Sequence, residues 1–192
     1  MKLKKAMLAL VCALALVVGS VMGTMAYLQD QTQVVQNTFT VGKVGISLDE
    51  ANVDVYGVVT EGRTETGNEY KLIPGHKYAK DPTVHVDADS ENAWLFVKVE
   101  NGISAIEAAG DTTIAAQMEV NGWTIVDGET NVYAYKDIVV KDADVTVFSN
   151  FTLKGDAAVA DYATAKINIT AYAVQVDGFT TAQAAWDATY GA

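Results

Sequence analysis

Along most of this chain, apolar and polar side chains alternate in twos, the period of a strand with one buried face. In "AWLFVKVE", Leu95, Val97 and Val99 share one face and Trp94, Phe96 and Lys98 the other. In "VTVFSNFTL", Val145, Val147, Phe151 and Leu153 point inward around Ser149. In "KINITAYAVQV", Ile167, Ile169, Ala171 and Ala173 alternate against Thr170, Tyr172 and Val174. The stretch "NTFTVGKVGISL" changes phase: Phe39 and Val41 have one parity, and Val44, Ile46 and Leu48 the other. A one-residue slip would turn the apolar face outward, so the pattern predicts a β-bulge at Gly42.

Further strands are predicted over residues 53–60, 83–87, 118–126 and 131–140. Turn signals stand at Asp49-Glu50, Glu61-Gly62, Asn121-Gly122 and Asp127-Gly128, and Asn-Gly and Asp-Gly are the dipeptides that tight hairpins favour. Two helical pieces are expected. One falls within 103–109; the other follows a cap at Thr180 or Thr181 and places Ala182, Ala185 and Trp186 on one side. Many short strands with little helix predict an antiparallel β-sandwich.

The N-terminus adds an export step. Lys2, Lys4 and Lys5 precede an apolar run from Ala6 to Val18, which gives way to the small residues from Gly19 to Thr24. That is the order of a secretory signal. A cut after Ala26 sets Thr24 and Ala26 at the small-residue positions and makes Tyr27 the new N-terminus. The competing reading is an uncleaved anchor: no charge falls between Ala6 and Gln29, about enough chain to span a bilayer. The only cysteine, Cys12, lies inside the apolar run behind Val11, which is not a lipidation position. A cleaved chain has no cysteine, which excludes disulfides, a thiol nucleophile and Cys-ligated metals. Its core must be held by burial alone, for which about 166 residues suffice. No hydrophobic tail follows Trp186 and the chain ends "DATYGA", so covalent anchoring by a sortase is not expected.

Loss of the three leader lysines takes the formal net charge from −11 to about −14. Nucleic acid and anionic membrane surfaces are therefore excluded as partners, and a membrane is met only before signal cleavage. The charge serves solubility; a second reading is assembly favoured by acid or cations, which relieve the self-repulsion.

Catalytic motifs are missing. There is no Gly-x-Ser-x-Gly and no glycine-rich phosphate loop. The two histidines, His76 and His85, do not have the His-Glu-x-x-His spacing that sets two imidazoles on one zinc. His85 reads as the outward residue of a strand and His76 as part of a turn after Pro74-Gly75. A two-histidine site completed by a carboxylate is the alternative. Asp87, Asp89 and Glu91 resemble a hard-cation loop without the glycine and distal glutamate of an EF-hand; the other reading is a solvated loop. Asn150 and Asn168 match the glycosylation sequon inside strand patterns, and read as strand polar faces. Among nine tyrosines and three tryptophans, Tyr78, Tyr133, Tyr135, Tyr172 and Trp123 are candidates for a glycan surface or, alternatively, cross-strand packing pairs. No enzyme and no cofactor are implied.

Three stretches together carry a family resemblance: "GTMAYLQD" at the leader junction, "NTFTVGKVGISLDE" soon after it, and "LIPGHKYAKDPTVHV" followed by "ENAWLFVKVE". The first looks like a signal cut by the SipW-type signal peptidase. In this order and spacing they resemble the TasA/camelysin family of exported biofilm-matrix and surface proteins. The resemblance implies a jelly-roll-like β-sandwich over 39–192, a signal peptide over 1–26, and between them, at 27–38, a donor strand or tether. It implies a secreted subunit that polymerises with itself when this segment completes the sheet of the next copy, with other matrix proteins as further partners. Tyr27, Leu28, Val34, Val35 and Asn37 would carry that joining, with Leu28, Val34 and Val35 as its only aliphatics. Phe39, Gly42, Pro74, Gly75, Lys80, Asp81 and Pro82 are the matching structural motif. Pro82 biases Asp81 toward extended backbone and launches the strand after it, while Pro74-Gly75 makes a turn. Some members of that family carry a metallopeptidase label, for which this sequence has no zinc-peptidase spacing. The alternative function is a secreted glycan- or protein-binding module.

Overall fold

The computed structural model describes residues 42–191. The cleavage pair Ala26 and Tyr27, the joining residues Leu28, Val34, Val35 and Asn37, and Phe39 lie outside the described residues.

The chain is mostly β, with antiparallel sheets in a sandwich-like arrangement. Its strands are β1 (Ile46–Val53), β2 (Val59–Thr64), β3 (Lys77–Ala79), β4 (Thr83–Val86), β5 (Ala93–Asn101), β6 (Trp123–Ile125), β7 (Val132–Tyr135), β8 (Asp144–Thr146), β9 (Asn150–Thr152) and β10 (Ile167–Gln175). One sheet has the order β2-β1-β4-β8, the second β10-β5-β7-β6, and β3 and β9 pair as a two-stranded ribbon.

The alternation explains the core. Along β5 and β10, Leu95 lies opposite Ala173, Val97 opposite Ala171 and Val99 opposite Ile169. All turn into the main cluster, where Tyr78, Val84, Trp123, Phe148 and Phe151 are fully or almost fully buried. The opposite face of β5 is also covered. Phe96 packs with Trp186 at 5.1 Å between ring centroids, because helix α2 (Ala182–Thr189) lies on it. Thr181 caps that helix, its hydroxyl accepting the Ala184 N–H at 3.1 Å, as expected for a residue that satisfies an orphan helix donor.

Several predicted elements differ. Residues 118–126 are not one strand: helix α1 (Ile114–Val120) runs into β6. Ile114 and Met118, four apart, bury one helical face, and Asn121-Gly122 ends the helix rather than turning a hairpin. Gly122 has φ +90, the left-handed backbone that stops helices. The helix expected within 103–109 is a single 3-10 turn, Ser104–Ile106. The strand expected over 53–60 is broken by a turn in which the Asp54 carboxylate accepts the Tyr56 and Val58 N–H groups, each at 2.9 Å. Gly57 is forced there: with φ +77, a Cβ on it would sit 2.7 Å from the Tyr78 Cα. Asp49-Glu50 and Glu61-Gly62 are not turns but lie within β1 and β2. "VTVFSNFTL" splits into β8 and β9, which belong to different sheets; Val147 and Phe148 are both buried at the crossing. Gly42 precedes β1, and the register irregularity of β1 falls between Ala51 and Val53.

Candidate functional site

Strand β10 has a hydrogen-bonded neighbour on one side only among the described residues, β5. The phase of that ladder follows from its ends. Gly102 donates to Lys166 O at 2.9 Å and Val176 to Asn92 O at 3.0 Å, whereas the N–H groups of Ala93 and Val99 point away, to Val139 O and Asn131 O. Antiparallel pairs alternate between bonded and non-bonded. The even-numbered residues of β10 therefore pair with β5, and Ile167, Ile169, Ala171, Ala173 and Gln175 turn their N–H and C=O groups to the free edge. The apolar members of this set, Ile167, Ile169, Ala171 and Ala173, point their side chains at the core and are only half-buried. A nine-residue edge that is unpaired among the described residues, above core-facing side chains that are only half-covered, is the kind of edge on which another strand can pair.

Beside the first residues of β10 lies a groove of about 200 Å³ lined by Leu48, Glu50, Lys80, Pro82, Ile167 and Ile169, among others. Its floor is built by the "AKDP" stretch. Lys80 is an ion-pair partner of Glu50, both side chains 6% exposed. Asp81 accepts the Ala51 N–H at 2.7 Å and the Arg63 guanidinium at 2.9 Å. Pro82 is buried, and Thr83 Oγ1 donates to Asp81 O at 2.9 Å. Pro74 and Gly75 form the turn that His76 N–H closes on Ile73 O at 3.1 Å. These motif residues hold β1, β3 and β4 together.

On the outward side of the same sheet, His85 bridges three strands. One ring nitrogen is 2.8 Å from Asp49 Oδ1 and the other 2.6 Å from Asp144 Oδ1, and Arg63 Nε also reaches Asp49 at 2.7 Å. The hydrogen bond to Asp49 raises the His85 pKa above its ordinary value; desolvation opposes this, and Asp144 adds to it. For Asp49, burial works upward, but the bonds from His85 and Arg63 outweigh it and hold the carboxyl below its usual value.

The other candidates separate in space. In the acidic loop, Lys43 reaches Asp89 at 2.9 Å and Asp87 at 3.9 Å, so an ammonium already meets two of its carboxylates. His76 contacts Tyr56 O at 2.8 Å and packs on Tyr78. Among the described residues, no group of three or more His, Cys, Asp or Glu is placed to hold a metal. Tyr78 and Trp123 are interior residues, while Tyr172 packs with Trp186 and Tyr190 elsewhere. The five aromatics do not form one surface. Asn150 and Asn168 lie in β9 and β10.

No motif marks Asn68 or Arg63, and composition marks Glu50 only as part of a turn signal. A signal existed for Glu50: it continues the inward phase of Val44, Ile46 and Leu48, and a carboxylate at an inward position needs a buried partner. No protein-family model, curated protein or solved structure matches the chain.

Proposed function

We propose that this protein is an exported structural subunit of an extracellular fibre, cut after Ala26 by a SipW-type peptidase and joined to its neighbours by strand addition. In this reading, the segment from Tyr27 to Asn37 of one copy pairs with the free edge of β10 on the next. The observation that carries it is the row of outward-facing backbone groups at Ile167, Ile169, Ala171, Ala173 and Gln175 above half-buried side chains. A fifth core-facing row there would cover the two isoleucines, and Leu28, Val34 and Val35 are the apolar side chains that the segment brings.

Length and direction support the same assignment. β10 spans nine residues, ~30 Å of strand, which the eleven or so residues of the segment can match. Gly42 lies against Glu91 and Gln175, at the far end of β10 from the groove. A segment folding back along its own β10 from that point would run parallel to it, the weaker ladder. A segment from another copy is free to pair antiparallel, and repetition of that head-to-tail contact gives an open polymer. The test is electron microscopy of the processed chain with and without residues 27–37. Filaments that need the segment support strand addition; filaments formed equally without it reject it.

A further inference from the structure

Strand addition does not use the buried polar cluster under the groove. Glu50 sits at an inward position of β1, and its Oε2 meets the Lys80 ammonium. Its Oε1 accepts Asn68 Nδ2 at 2.8 Å. Asn68 Nδ2 also donates to Ala51 O at 2.9 Å, and Asn68 Oδ1 accepts the Val53 N–H at 3.0 Å. An amine and a carboxamide thus share the two oxygens of one carboxylate. Water is nearly excluded from the ion pair, since Glu50 and Lys80 are each 6% exposed, while Asn68 is half-buried; Lys80 is the one lysine buried among the described residues. Tyr70 walls the cluster, with its hydroxyl on Ala79 O at 3.1 Å and its ring edge-on to Tyr78 and Phe151. Burial, with the charges of Glu50 and Asp81, pushes the Tyr70 phenol up, so it stays protonated.

We propose that Lys80 and Asn68 form an intramolecular isopeptide bond, with Glu50 as the proton shuttle. Lys80 first passes a proton to Glu50 across their shared hydrogen bond, which frees the amine lone pair. Lys80 Nζ attacks Asn68 Cγ, and the charge that develops on Oδ1 falls on the Val53 N–H, already bonded to that oxygen. Glu50 returns the proton to Nδ2 while taking the one lost by Nζ. The Cγ–Nδ2 bond breaks, and ammonia leaves as ammonium with the second proton, the one Glu50 took from Nζ, which restores the Glu50 carboxylate. One C–N bond forms and one breaks, no oxidant is needed, and the chain loses one ammonia.

The chemistry suits the setting. Fixing both reactants on one carboxylate converts a slow amide exchange into an intramolecular step. The product ties the segment after β2 to the end of β3, a closed loop in a chain whose only cysteine lies in the leader. It forms in each copy whether or not copies assemble.

The test is peptide mapping of the full chain, folded, then denatured and digested with trypsin. The expected result is a branched species joining residues 64–71 to residues 78–98, about 17 Da lighter than the two peptides together. It should be lost in Asn68→Ala, which keeps the Glu50–Lys80 pair, and in Lys80→Arg. Release of residues 64–71 together with a free peptide ending at Lys80, both at unmodified mass, overturns the proposal. So does a 17 Da loss that maps to any other pair of residues. The wild-type digest decides the question even if a variant fails to fold.

Discussion

Ala171 lies directly opposite Val97 across the β5–β10 ladder, and the pair exchanges no backbone hydrogen bond. The Ala171 N–H is therefore aimed away from β5, along an edge unpaired among the described residues, while its side chain faces the core. A proline is tolerated at an edge-strand position whose N–H faces outward. Ala171→Pro is expected to cost little stability by denaturant titration, since no ladder bond to β5 is lost, yet to abolish filaments under the electron microscope. Tyr172→Pro removes a bond inside the β5 ladder instead and leaves the Phe96 C=O without its partner, and should lower stability further, by about 1 to 3 kcal/mol.

The second face of β5 depends on helix α2. Trp186 packs against Phe96, Tyr172 and Tyr190, and its indole N–H donates to Glu129 at 3.1 Å. Trp186→Ala is expected to destabilise the domain by ~3 to 5 kcal/mol in equilibrium unfolding. Thr181→Ala removes only the cap and should cost ~1 kcal/mol. Equal losses in the two variants would contradict this packing.

His85 joins β1, β4 and β8 through Asp49 and Asp144, with Arg63 as the other cation on Asp49. Its pKa is raised in the folded protein, so its stabilisation is complete below its unfolded value of about 6.5 and is lost as pH rises through the folded value. Asp49 is lowered, so its share is present above its unfolded value and is lost as pH falls through the folded one. Melting curves should show wild type exceeding His85→Gln most at pH ~6, with the gap narrowing toward pH ~9. A gap that widens with rising pH would contradict the charged bridge.

Much of the fold was legible in strand alternation. Leu95, Val97 and Val99 face the main core as their parity demands, and Ile167, Ile169, Ala171 and Ala173 follow them through the register. The C-terminal helix was marked by Thr181 and the buried side of Ala185 and Trp186. The misreadings have physical causes. Met118 and Val120 look like strand residues, but their helical neighbours and Gly122 decide otherwise. Asp49-Glu50 looks like a turn by composition, yet its two carboxylates sit on opposite faces of β1, one on His85 and one on Lys80. The free edge of β10 could not be read from local pattern, because it depends on which strands pair.

The central claim is that β10 accepts a strand, and amide hydrogen exchange along β10 tests it most directly. In the unassembled protein, the even-numbered amides of β10 should be protected and those of Ile169, Ala171 and Ala173 should exchange quickly. On assembly, these odd-numbered amides should become protected. Protection gained along β2, β6 or β8, with the odd amides of β10 unchanged, would contradict the account.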